Sequence, residues 1–153
     1  MTDRQTDAFD VAVGALRRKE RATAELGDWL RRRGYGDGEV EVTIARLVAV
    51  GELDDERFVR GYAEDKRTLR GWGSERIREG LAARGIAEPL IEVALQGDSE
   101  ADQVARAGAL LASRNQPLVE DADRARALGF LTRRGYGYEV AHEAIRHATN
   151  QAA

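Results

Sequence analysis

With 153 residues, 42% of them hydrophobic and 33% charged, two prolines and no cysteine, the chain suits a soluble helical protein and excludes disulfide and thiolate chemistry. A net charge of -3 excludes a polycation that coats nucleic acid indiscriminately. No apolar run reaches the roughly 18 residues of a membrane span, and the opening MTDRQTDAFD is too polar for a signal peptide, so a cytoplasmic protein with no membrane partner is expected.

A helical stretch over 10–21 opens the chain and closes on Arg17, Arg18, Lys19 and Arg21, which share too little of one apolar stripe to be core and form a solvated face. A shorter helix follows from a candidate N-cap at Thr23 and ends in Arg31, Arg32 and Arg33, then Gly34-Tyr35. Arginines in a last turn suit the negative end of the helix dipole. Glycine just past a helix takes the left-handed conformation and the apolar residue after it packs back, so RRGYG predicts a Schellman C-cap. Asp37 signals the next helix, with Val40 and Ile44 on its apolar side.

The same phrase returns twice. LRRRGYGDGEV from Leu30 is matched by LAARGIAEPLI from Leu81 and LTRRGYGYEVA from Leu131, at offsets of 51 and 50 residues. Ile86 and Tyr136 stand where Tyr35 does, and Ile91 with Leu95, then Ala141 with Ile145, keep the register of Val40 and Ile44. Pro89 fits a first helical turn, Ser74 and Asp123 are candidate N-caps, and longer helices over 54–69 and 99–113 precede the two later copies. Self-similarity at this period predicts an all-α fold of three tandem three-helix repeats forming an elongated, curved helical array. The units are 1–52 with an N-terminal extension, 53–97 and 98–153.

Charge alternates in blocks along this array. Residues 16–33 carry seven basic groups against three acidic, 36–56 one against seven, and 66–84 six against two. The basic zone recurs at comparable points of the first two units, which favours a partner over a merely solubilising face.

Catalytic chemistry finds little purchase. His142 and His147 are five apart, not the three or four that place two ligands on one helix face, and read as surface residues. No phosphate-cradling glycine loop or serine nucleophile motif is present. Asp54-Asp55-Glu56 could serve a metal-dependent nuclease, but acids entering a helix N-terminus are also what capping selects, and that reading is favoured. Trp72, between basic residues in RGWGSERI, either plugs a helix junction or stacks on a base, packing being the more usual role. A non-enzyme with no catalytic residue, metal or cofactor is expected.

LRRKERATAELGDWLRRRGY, ELDDERFVRGYAEDKR and RGWGSERIREGLAARGI together resemble the RecX regulatory family, and the likeness runs from about Ala15 to His147. The resemblance implies a modulator of the RecA recombinase. Its implied mode is to lie as a three-repeat body, expected to be a monomer, in the groove of the RecA filament on single-stranded DNA. There it would inhibit strand exchange, ATP hydrolysis and co-protease activity, restraining recombination and the SOS response. The contact residues it implies are the basic groups of the first two units: Arg17, Arg18, Lys19, Arg21, Arg31, Arg32, Arg33, Lys66, Arg67, Arg70, Arg76, Arg78 and Arg84. Arg57 and Phe58 also match, Phe58 as a core residue. Direct contact with single-stranded DNA stays open, and a stand-alone helical-repeat protein that binds single strands is the alternative.

Overall fold

A computed structural model describes residues 7–152, and among them are nine helices and no strand. They group as α1 (Ala8–Arg18), α2 (Thr23–Arg32) and α3 (Asp37–Ala49), then α4 (Asp55–Arg70), α5 (Ser74–Ala83) and α6 (Glu88–Leu95), then α7 (Glu100–Arg114), α8 (Asp121–Arg133) and α9 (Tyr138–Ala152). Helices that pack along one another do so within a triplet, so the fold is all-α and built of three helix triplets in tandem.

The repeated glycine turn is a Schellman motif in every unit. Tyr35 N–H donates to Leu30 O at 3.2 Å and Gly34 N–H to Arg31 O at 2.9 Å; Ile86 and Tyr136 donate to Leu81 O and Leu131 O at 3.1 Å each. Gly34, Gly85 and Gly135 have φ of 96, 80 and 95°, where a Cβ is penalised. The leucine that opens each phrase is fully buried, so Leu30, Leu81 and Leu131 anchor the same place in three separate cores. Around them pack Leu26, Val40 and Leu47 in the first unit, Val59, Ile77 and Ile91 in the second, and Ala107, Tyr136 and Ile145 in the third.

Helix starts depart from expectation by one to three residues. Asp54 and Ser99 cap α4 and α7, accepting from Arg57 N–H and Asp102 N–H at 3.0 Å. Thr23 and Ser74, however, are the first residues inside their helices, after Ala22 and Gly73, and Asp123 lies within the first turn after Glu120. The capping oxygen is supplied from elsewhere. Glu25 reaches back to Ala22 N–H at 3.1 Å, and Asp123 to Val119 N–H and Glu120 N–H at 3.2 and 3.0 Å. At the start of α5 the acceptors are Arg134 O and Gly135 O, contributed by the third unit. The first stretch is also shorter than 10–21, α1 ending at Arg18 so that Arg21 lies outside any helix.

Candidate functional site

The last turns of α1, α2 and α4 deliver most of the thirteen basic residues to the surface. Arg17, Arg18, Lys19, Arg32, Arg33 and Arg70 are exposed. None of these six meets a carboxylate among the described residues. Four others are neutralised internally. Arg31 bridges Asp28 and Asp37 at 3.2 and 2.9 Å. Arg78 holds Glu92 at 2.6 Å and also Glu88, and the hydrogen bond to Glu92 foremost keeps the guanidinium protonated and the Glu92 carboxyl below its ordinary range. Arg84 pairs with Glu25 at 3.0 Å across the boundary between units.

Arg67 is the fourth, and it is barely accessible, its side chain 15% exposed. It donates to Ala94 O at 3.0 Å and stands 3.4 Å from Asp98, whose own side chain is 4% exposed. Asp98 also receives Arg106 at 3.0 and 2.9 Å and the Ser74 hydroxyl at 3.2 Å. Burial alone would raise the Asp98 carboxyl, but Arg106, Arg67 and Ser74 together hold it below the ordinary carboxylate range. Arg106 in turn donates to the Tyr136 hydroxyl at 3.2 Å, which donates to Gly71 O at 2.8 Å. Burial pushes the Tyr136 phenol up, so the hydroxyl keeps its proton. This network ties the second unit to the third.

The remaining three, Arg21, Lys66 and Arg76, lie over aromatic rings. Arg21 is 5.2 Å from the Trp29 centroid and also donates to Ala15 O at 2.8 Å, so it is half-buried and not part of a freely solvated face. Lys66 and Arg76 lie 4.7 and 4.4 Å from the Trp72 centroid. Trp72 packs edge-on against Tyr62 and fills a helix junction, the more usual of its two anticipated roles.

The acids of the LDDERF segment act structurally. Asp54 caps α4, while Asp55 accepts from Thr23 N–H and its hydroxyl at 2.7 and 2.9 Å. Phe58 is core. Arg57 donates to Gly51 O at 3.1 Å. Among the described residues no three His, Cys, Asp or Glu side chains are grouped to hold a metal, and no helix is long and apolar enough to cross a membrane. His147 pairs with Glu143 at 2.8 Å, whereas His142 is no ordinary surface residue: its ring lies 4.1 Å from Tyr138 and its Nε2 is buried without a partner.

The chain matches two family models in tandem, "RecX, first three-helix domain" over residues 8–47 and "RecX, second three-helix domain" over 54–95. A regulatory protein RecX of Mycobacterium leprae is 32% identical over 149 residues, covering 95% of this chain and 87% of the relative. The RecX of Halorhodospira halophila is 38% identical over 130 residues, covering 83% and 79%. The crystal structure of RecX from Lactobacillus salivarius superposes with a TM-score of 0.86 at 20% identity, covering 97% of this chain and 99% of that one.

Proposed function

The chain belongs to the RecX family of regulatory proteins, and on that premise we propose that it regulates recombination by lying in the groove of the RecA filament on single-stranded DNA. In this reading it acts as a monomer and a non-enzyme: it bridges adjacent protomers, and inhibition of strand exchange, ATP hydrolysis and co-protease activity follows from occupancy. Units 1–52, 53–97 and 98–153 each supply modest contacts that add by avidity. The observation that carries the reading is the set of exposed cations at the helix ends of the first two units, Arg17, Arg18 and Lys19, then Arg32 and Arg33, then Arg70, without carboxylate partners among the described residues. Arg60, Arg124 and Arg146, by contrast, are matched to acids within one turn.

The test is ATP hydrolysis by the cognate RecA on single-stranded DNA, titrated with this protein and with an Arg17→Glu, Arg18→Glu, Lys19→Glu variant. The wild type inhibits well below the concentration that coats the bare DNA, and the variant loses at least about tenfold in potency, equivalent to about 1.4 kcal/mol. Absence of inhibition by the wild type sinks the reading.

A further inference from the structure

A line of rings and cations crosses all three units. It begins at Trp29, whose ring carries Arg33 at 4.3 Å and Arg21 at 5.2 Å. Four residues earlier on the same face of α2, Glu25 receives Arg84, which lies 5.1 and 5.6 Å from the Phe58 and Tyr62 centroids. Tyr62 meets Trp72, the seat of Lys66 and Arg76. Arg76 donates to Arg133 O at 3.4 Å, and beside it Arg134 lies 5.0 Å from Phe130, which carries Arg114 at 4.0 Å.

Repetition built this line. Trp29 and Phe130 each stand five residues before their unit's glycine, and Gly80 occupies that position in the second unit. A Cβ on Gly80 would collide with the Tyr62 hydroxyl and come within 3.5 Å of Trp72, so rings from α4 and the following turn fill the place its missing side chain vacates. Each unit thereby presents an aromatic group bearing two cations: Arg21 and Arg33, Lys66 and Arg76, Arg114 and Arg134. Among the described residues none of these six has a carboxylate partner, whereas the other ring-held cations, Arg46, Arg84 and Arg106, all do.

We propose that this seam contacts the phosphodiester backbone of a single DNA strand, one station per unit, and that Phe130 with Arg114 and Arg134 carries it into the third unit. It rests on the filament reading for where the strand is met. A cation seated on a ring is held in place and partly desolvated, so less freedom is lost when an anion arrives. Guanidinium forks match phosphate oxygens. Because the cations occupy the ring faces, bases do not stack there, and the contact is independent of sequence. One donor set repeated three times suits a strand whose charges recur at every nucleotide, so that each station finds a phosphate without a fixed register, whereas a filament's protein surface recurs only once per protomer.

The experiment measures binding of a fluorescent oligothymidylate and a mixed-sequence strand to the full chain across a salt series, for wild type, Arg33→Gln with Arg114→Gln, and Arg33→Lys with Arg114→Lys. Neither arginine's side chain donates a hydrogen bond among the described residues, so the melting temperature should hold. Removing two phosphate contacts lowers the log–log salt slope by about 1.4, equally for both strands, and the lysine variant keeps the slope. A slope unchanged in the glutamine variant, or lost in both variants together with the fold, makes the seam a structural stitch and overturns the proposal. If no strand binds but RecA ATPase inhibition weakens in the glutamine variant, the seam meets an acidic protein surface; the phosphate assignment falls and the filament reading stands. If the slope falls as expected but RecA is never inhibited, the seam stands and the filament reading falls.

Discussion

Two junctions join three similar units, and they are built from different parts of the chain. Between the first and second units the links are side chains: Asp55 on the start of α2, and Glu25 with Arg84, each about a quarter exposed. Between the second and third units the backbones themselves meet. Gly73 N–H donates to Arg134 O at 2.8 Å and Glu75 N–H to Gly135 O at 2.9 Å, while Arg134 reaches Arg70 O at 3.0 Å. The buried Asp98 network closes the same seam. One pentapeptide therefore has two fates. Arg133-Arg134-Gly135-Tyr136-Gly137 is a docking edge with Gly135 and Tyr136 buried, whereas the glycine and arginines of the first copy face solvent. The third copy docks because Gly73 at the start of α5 leaves room for a carbonyl that a Cβ would crowd at 2.5 Å; the equivalent residue of α2, Ala22, carries a Cβ where the second unit's turn comes near, and there the link is Arg84 to Glu25.

Alanine at Gly135 and at Gly34 breaks that comparison most strongly. Both residues are left-handed, at φ of 95 and 96°, so both substitutions cost about 1–2 kcal/mol of backbone strain. Gly34 has open space around it, but a Cβ on Gly135 would meet the Arg76 backbone nitrogen at 2.5 Å. Gly135→Ala should cost about 3 kcal/mol or more, and thermal melts should separate the two variants by several degrees, at about 2–4 °C per kcal/mol for a chain of this size. Equal shifts would remove the close backbone approach as the reason for the tighter junction.

Asp98 is the next largest effect and the one with a pH signature. Asp98→Asn removes the charge that faces Arg67 and Arg106, and stranding two largely buried guanidinium groups costs about 3 kcal/mol. The folded-state carboxyl titrates below its unfolded value of about 3.9, so the wild type has this contribution in full above about pH 4 and loses it as pH falls through the lowered value. Urea midpoints of the two proteins should differ at pH 6, and the gap should narrow as the pH falls below about 4. A gap that stays constant over that range would mean that the Asp98 charge does not hold the junction.

The units themselves were legible in the sequence, because a Schellman turn needs only neighbours: glycine, the apolar residue after it and the leucine before it are contiguous in LRRRGY, LAARGI and LTRRGY. Helix starts are less legible, since Thr23 and Ser74 look like caps while Glu25 and Gly135 O supply the acceptors, and Asp123 caps α8 from inside its first turn. Which arginines are spent inside the protein was not legible at all. Arg84 finds Glu25 59 residues away, and Arg67 finds Asp98 only because α4 passes the turn after α6. Nothing local marks Arg114 and Arg134 as partners of Phe130 either, although the spacing of Trp29 and Phe130 from their glycines was available as a signal.

The smallest effect probes the looser junction. Arg84→Met keeps much of the apolar stem against Phe58 and Tyr62 but removes the charge that pairs with Glu25. Because both partners are partly exposed, the pair contributes about 0.5–1 kcal/mol. A double-mutant cycle with Glu25→Gln isolates it, though Glu25 also bonds Ala22 N–H, so the glutamine must keep that cap for the cycle to close. Hydrogen exchange then reports where the loss is felt. Arg84→Met should speed exchange at the start of α2 while the amides of Gly73 and Glu75, locked on the third unit, keep their protection. If those two amides lose protection equally, the junctions are coupled, and the three units behave as one cooperative body with no softer joint after the first.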